Sequence, residues 1–275
     1  MLRFCALIFS LFCLNAIAAD YKAVIFGDSL SDEGRLYALT DHEVPSSDYY
    51  YEGRFSNGGV WTEFAFTDRE NYAYAGAKSD YSNQLEPQLG AIVDDTGLLG
   101  QVNEYIAAHP DKNVNDNTVF YISIGANDIL SLSTDDEATL KFLISGILQH
   151  IKLSMQRLEG AGATHFALVG LPDLAIAPIA NDMTQAERKL LTTLSDHFNE
   201  GLKIIATRYR AEYIDMDTFV TKVIRRANHY GFTNVTDACF NDETFEICDQ
   251  PSEYFFWDDK HPTTRVHELF AESLE

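Results

Sequence analysis

The chain has 275 residues, 46% of them apolar, and a formal net charge of −22. That is enough apolar material for a sizeable core, while the acidity repels nucleic-acid phosphates and anionic surfaces, which argues against a nucleic-acid partner. No apolar segment reaches the roughly 20 residues a bilayer-spanning helix needs, so no transmembrane segment is expected.

In chain order, Met1-Leu-Arg3, the apolar run Phe4 to Leu14 and Ala16-Ile-Ala-Ala19 form the charged, apolar and small-residue zones of a secretory signal peptide over residues 1–19. Cleavage near Ala18 or Ala19 would leave one exported domain, 20–275, since no linker-like composition divides the rest. Cys5 and Cys13 leave with the leader, and the remaining pair, Cys239 and Cys248, is expected to form a disulfide in an oxidising compartment. Two cysteines are too few for a structural zinc site, and no cofactor is expected.

Tyr21 to Phe26 reads as a short buried strand running into Gly27-Asp-Ser-Leu30. Asn71 to Tyr74 is a candidate second strand. Val119 to Ile124 is a third, ending in Gly125-Ala-Asn-Asp128, and His165 to Val169 a fourth, ending in Gly170-Leu-Pro-Asp173. Ala211 to Ile214 completes five. Helical periodicity runs over Glu137 to Leu158 and Thr184 to Tyr209, the latter opened by a Thr184/Glu187 capping box. Strands alternating with long helices predict a three-layer α/β/α fold around a mostly parallel, doubly wound five-stranded sheet. Irregular stretches at roughly 36–60, 78–100 and 229–262 are long enough to be functional loops.

Acyl transfer requires a nucleophile, a base, a carboxylate that orients the base, and donors for the oxyanion. Ser29 sits where a strand ends, the edge at which open α/β sheets bind ligands. Asp258-Asp-Lys-His261 puts a carboxylate within one turn of an imidazole, with Pro262 restraining the backbone after it. His267 and Asp259 are the neighbouring competitors for base and carboxylate. A Gly-x-Ser-x-Gly elbow is absent, Asp111 to Asp116 lacks the glycine of a calcium loop, and His267-Glu268 lacks the second histidine of a zinc helix.

With these pieces assembled, the sequence resembles the GDSL or SGNH esterases in four blocks: Gly27 to Asp32, Asn71 to Ala77, Gly125 to Asp128, and Asp258-x-x-His261-Pro262. The resemblance implies Ser29 as nucleophile, His261 as base and acid, and Asp258 as its orienting carboxylate. It also implies an oxyanion hole of the Ser29 and Gly76 N–H groups and the Asn127 amide. Gly53-Arg-Phe-Ser-Asn57-Gly58, followed by Trp61 and Glu63, is similar to the bacterial secreted phospholipase, lysophospholipase and glycerophospholipid:cholesterol acyltransferase branch. Two departures from that branch are Arg35, where Asn is frequent, and Ala75, where a second Gly is common.

The expected substrate is a lipid acyl ester, first a lysophospholipid and otherwise a phospholipid, with a sterol as the acceptor if an alcohol intercepts the acyl-enzyme. A carbohydrate acetyl esterase of the same fold and a non-catalytic secreted binding protein are the competing readings. Aromatic residues at Tyr49 to Tyr51, Phe55, Trp61 and Tyr254 to Trp257 are candidates for an acyl groove. The segment from Cys239 to Cys248 is a candidate plug, with Phe240, Phe245 and Ile247 entering the groove until a protease nicks the loop.

Overall fold

A computed structural model describes residues 21–132 and 136–274, so the expected signal peptide lies outside the described residues. Five parallel strands form the central sheet in the order β2-β1-β3-β4-β5. They are β1 (Lys22–Gly27), β2 (Arg69–Asn71), β3 (Thr118–Ser123), β4 (His165–Val169) and β5 (Glu212–Ile214). The predicted three-layer arrangement follows from alternation along these strands. Val24, Phe26, Phe120, Ile122 and Leu168 face the layer containing Leu98–Ala108, Glu137–Gly160 and Gln185–Tyr209. Ala23, Ile25, Tyr121, Ala167 and Val169 face the opposite layer with Trp61, Met216, Val220, Phe255 and Phe270. Both sheet faces are covered, as a parallel sheet requires.

Local chemistry explains the element ends. Thr184 Oγ1 accepts from Glu187 N–H at 3.3 Å while Glu187 Oε2 accepts from Thr184 N–H at 2.7 Å, the reciprocal cap read from the sequence. The second strand is displaced from its predicted position: it spans Arg69–Asn71, not 71–74. Tyr72 and Tyr74 N–H still donate to Ile25 and Gly27 carbonyls beside β1, but Asn71 Oδ1 accepts Ala73 N–H and Asp32 Oδ2 captures Ala75 N–H. Those side-chain acceptors turn the backbone away from the sheet and toward Gly76.

The irregular stretches are less loose than their composition implied. The region 229–262 contains a parallel pair, Asn234–Ala238 with Tyr254–Phe256, and a two-residue hairpin, Phe240–Asn241 with Glu246–Ile247. Among the described residues no helix is long and apolar enough to cross a membrane.

In strand order 2-1-3-4-5 the winding direction reverses between β1 and β3, which opens a crevice at their carboxyl ends. Ser29 follows β1 and Asn127 follows β3, so topology alone brings the first and third sequence blocks to that crevice.

Candidate active site

The nucleophile turn is built from the end of β1. A Cβ on Gly27 would stand 2.7 Å from Ser123 carbonyl oxygen, so glycine lets β1 and β3 close up at the switch point. Buried Gln101 accepts from Gly27 N–H at 2.9 Å and donates to Gly27 carbonyl at 2.8 Å, satisfying the last peptide of the strand. Asp28 carbonyl then accepts from Ser31 and Asp32 N–H, and Ser29 stands on the resulting turn. Asp32, fully buried, accepts four backbone N–H groups, from Gly34, Arg35, Leu36 and Ala75. One carboxylate thereby starts the helix after the nucleophile turn and holds the loop leading to Gly76.

Ser29 Oγ lies 2.8 Å from His261 Nε2, and His261 Nδ1 lies 2.7 and 2.9 Å from the two carboxylate oxygens of Asp258. Lys260 and His261 N–H both donate to Asp258 Oδ1. Burial pushes the Asp258 carboxyl up, but the His261 charge and hydrogen bond together with those N–H groups outweigh it, and its pKa falls below the ordinary carboxylate value. Neither competitor occupies these places. Asp259 pairs with Lys260, and His267 is buried one helical turn beyond the loop.

The three donors expected for an oxyanion hole have hydrogen-bonding capacity to spare. Neither Ser29 nor Gly76 N–H is committed to an acceptor among the described residues. Asn127 uses one Nδ2 hydrogen on Ala77 carbonyl at 2.9 Å and keeps the other. Gly76 has φ +77, and a Cβ there would collide with Asn83 Oδ1 at 2.3 Å, so the position admits only glycine. Asn127 is the second residue of the short helix Ala126–Leu130, and the next, Asp128, accepts from Ser79 N–H and Oγ.

The Gly53 to Gly58 block clamps the loop that carries His261. Ser56 Oγ donates to Pro262 carbonyl, Asn57 Oδ1 accepts from Thr264 N–H, and the Phe55 ring is centred 5.0 Å from the His261 imidazole. A Cβ on Gly58 would meet Thr264 at 2.7 Å. Arg54 is tied to Glu63 at 2.6 Å. The departures at 35 and 75 are structural: Arg35 binds Tyr74 Oη, Asn71 carbonyl and Glu104, and Ala75 is fully buried on Asp32.

Sequence reading missed Tyr50 as a site residue and grouped it with groove aromatics. Its hydroxyl donates to Asp258 Oδ2 at 2.8 Å. Burial and the adjacent carboxylate hold the phenol far above its ordinary pKa, so it stays a donor. The one available signal was a tyrosine just ahead of the Gly53 block.

An apolar cleft opens beside Ser29. Trp61, Phe255 and Phe256 line it as expected, but Tyr49 to Tyr51, Phe55, Tyr254 and Trp257 do not. Much of the wall comes instead from Leu171, Leu174 and Ile176 after β4 and from Met216, Phe219 and Val220 after β5. Strand β4 ends in the Gly170-Leu-Pro-Asp173 loop noted in the sequence, whose position at the sheet's carboxyl edge was the available clue.

Cys239 and Cys248 form a disulfide. The plug arrangement is not adopted: Phe240 is buried in a stack between Tyr49 and Trp257, Phe245 and Ile247 are largely exposed, and none of the three lines the cleft. Aromatic stacking on Tyr49 and Trp257 gives Phe240 a better-packed seat than the cleft.

Asp28, buried beneath the nucleophile turn, has its pKa pushed up to about 6 by desolvation, against the opposing Leu30 N–H bond. A carboxyl with a raised folded-state pKa stabilises the fold below its unfolded value near 3.8, and this is lost as pH rises through about 6. Relative to wild type, Asp28→Asn should therefore gain about 2–3 kcal/mol of unfolding free energy between pH 4 and pH 8, measured by urea denaturation. A difference independent of pH would refute the assignment.

Residues 24–274 match the GDSL-like Lipase/Acylhydrolase family profile. Thermolabile hemolysin of Vibrio parahaemolyticus is 28% identical over 92% of this chain and 62% of its own length. Secreted effector protein SseJ of Salmonella typhimurium is 31% identical over the same two shares, 92% and 62%. The chain thus spans less than two thirds of either relative. Phosphatidylcholine-sterol acyltransferase of Aeromonas hydrophila is 28% identical over 84% of this chain and 70% of its own. A putative GDSL-like lipase from Parabacteroides merdae shares the fold, with a TM-score of 0.50 at 16% identity over 92% of this chain and 93% of that one. With the profile running through Ser29, Gly76, Asn127, Asp258 and His261, the chain belongs to the GDSL lipase/acylhydrolase family.

Proposed function

We propose that this protein is an exported serine esterase, a single catalytic domain over residues 20–275, that cleaves acyl esters of lysophospholipids or phospholipids. The observation that carries the reading is the Ser29 Oγ to His261 Nε2 approach of 2.8 Å at the mouth of a deep apolar cleft. In the proposed reaction His261 Nε2 takes the Ser29 hydroxyl proton as Oγ bonds to the ester carbon. The oxyanion is held by Ser29 and Gly76 N–H and Asn127 Nδ2. As the bond to the glycerol oxygen breaks, His261 returns the proton to that oxygen, and the acyl group remains on Ser29. Water activated by the same imidazole then releases the fatty acid.

The apolar lining of the cleft, including Leu171, Leu174, Phe219 and Phe256, suits a hydrocarbon acyl chain better than a hydroxylated sugar. This favours lipid over acetylated carbohydrate. If a sterol hydroxyl replaces water, the same steps give an acyltransferase, the activity named for the Aeromonas hydrophila relative. Export is supported by the leader-like residues 1–19, the Cys239–Cys248 disulfide and the similarity to a secreted effector. A protease acting between those cysteines would control activity through the Phe240 platform, which packs on Tyr50, and not by withdrawing a plug.

The purified chain should release fatty acid from lysophosphatidylcholine, and Ser29→Ala should reduce release by at least about 10³-fold. Cleavage of short acetyl esters with no release from the lysolipid would instead favour the carbohydrate-esterase reading. Tyr50→Phe removes one donor from Asp258, leaving a more basic carboxylate that favours imidazolium. It should lower kcat about three- to tenfold with little change in KM, and move the acid limb of the kcat/KM profile to higher pH. An unchanged pH profile would reduce Tyr50 to packing.

A further inference from the structure

Among the described residues, the wall of the cleft contains one buried polar atom that neither the proposed reaction nor a protein partner uses. His267 lies on the helix Thr264–Glu272, directly after the loop that carries His261, and is 3% exposed. Its Nε2 is buried without a hydrogen-bond partner among the described residues. The other polar residues of the wall outside the Ser29 site are accounted for. Asp173 accepts from Ala175 N–H and Thr192 Oγ1, and Lys260 is paired with Asp259. The neighbours of His267 in the lining, Val266 and Phe270, are apolar.

A histidine kept where an aliphatic residue of similar bulk would pack is a costly choice, because its ring nitrogen forfeits the hydrogen bonds it has in water. Buried unpaired polar groups in a binding cavity point to a ligand atom that completes them. We propose that His267 selects substrate, its free imidazole nitrogen hydrogen-bonding an oxygen substituent on the acyl chain, so that hydroxyacyl esters are a preferred substrate class. This rests on the reading of the cleft as an acyl site. Burial, with a smaller contribution from the nearby His261 charge, depresses the His267 pKa to about 3, so the ring is neutral and able both to donate and to accept. His267 and His261 line the same cleft, so hydroxyls near the ester end of the chain are the first to test. A neutral imidazole in an otherwise apolar wall discriminates by rewarding the correctly placed hydroxyl, in the way buried polar groups of binding sites reject analogues that leave them unpaired.

The experiment compares kcat/KM for nitrophenyl esters of decanoic, 2-hydroxydecanoic and 3-hydroxydecanoic acids with wild type, His267→Leu and His267→Asn. Wild type should favour at least one hydroxy ester over decanoate. His267→Leu should lower that ratio about tenfold, the scale of one hydrogen bond in a dry site. The ratio to decanoate divides out any general effect of the substitution on turnover, and thermal stability should be equal or higher, since the unpaired nitrogen is gone. His267→Asn, which retains a donor and an acceptor, should keep part of the preference. Equal ratios in wild type and His267→Leu, with decanoate cleaved by both, would overturn the proposal and leave the esterase reading intact. Failure of wild type to cleave decanoate at all would remove the acyl-site reading and this proposal with it.

Discussion

The site depends on bringing two side chains 232 positions apart to within 2.8 Å: Ser29 Oγ and His261 Nε2. Two independent supports meet there. Ser29 is fixed from the sheet, through the Gly27 approach to β3, the Gln101 bonds and the four N–H groups gathered by Asp32. His261 is fixed from outside the sheet, by Asp258, the Tyr50 hydroxyl and the Ser56 and Asn57 clamp. Such a pair needs placement to a fraction of an ångström, and supporting side chains on both loops provide it.

The supports are mainly buried polar groups, and this has an electrostatic consequence. Asp28 and Asp128 both have pKa values pushed up to about 6 by burial, whereas Asp258, as buried as Asp28, is held low by the partners gathered around it. The charge of His261 at hydrogen-bond distance separates Asp258 from the others, since Asp32 accepts four N–H groups and is still pushed up by burial. The negative charge that the proposed chemistry needs beside His261 is thus maintained inside a protein whose net charge is already −22.

Much of this was legible in the chain. Short apolar runs ending in Gly-containing loops located the strands, because a parallel sheet buried on both faces leaves little other reading, and the Thr184/Glu187 pair marked a helix start to the residue. The four blocks named the residues that meet at the switch point. What stayed hidden depends on tertiary packing. The second strand is regular only over 69–71: Tyr72 and Tyr74 N–H continue the bonding to β1, while the Asn71 and Asp32 side chains take the outward N–H groups of Ala73 and Ala75 and turn the chain toward Gly76. The cleft wall after β4 and β5 consists of apolar residues indistinguishable in sequence from core. Tyr50 looked like one more groove aromatic, and only its hydroxyl distance to Asp258 separates it from Tyr49 and Tyr51.

The most direct test of the central claim is active-site labelling with a fluorophosphonate, followed by intact-mass and peptide mapping of the purified chain. The account requires one adduct, on Ser29, in wild type, with labelling slowed strongly in His261→Ala and abolished in Ser29→Ala. No adduct on the folded protein, or one that persists in Ser29→Ala, would contradict it.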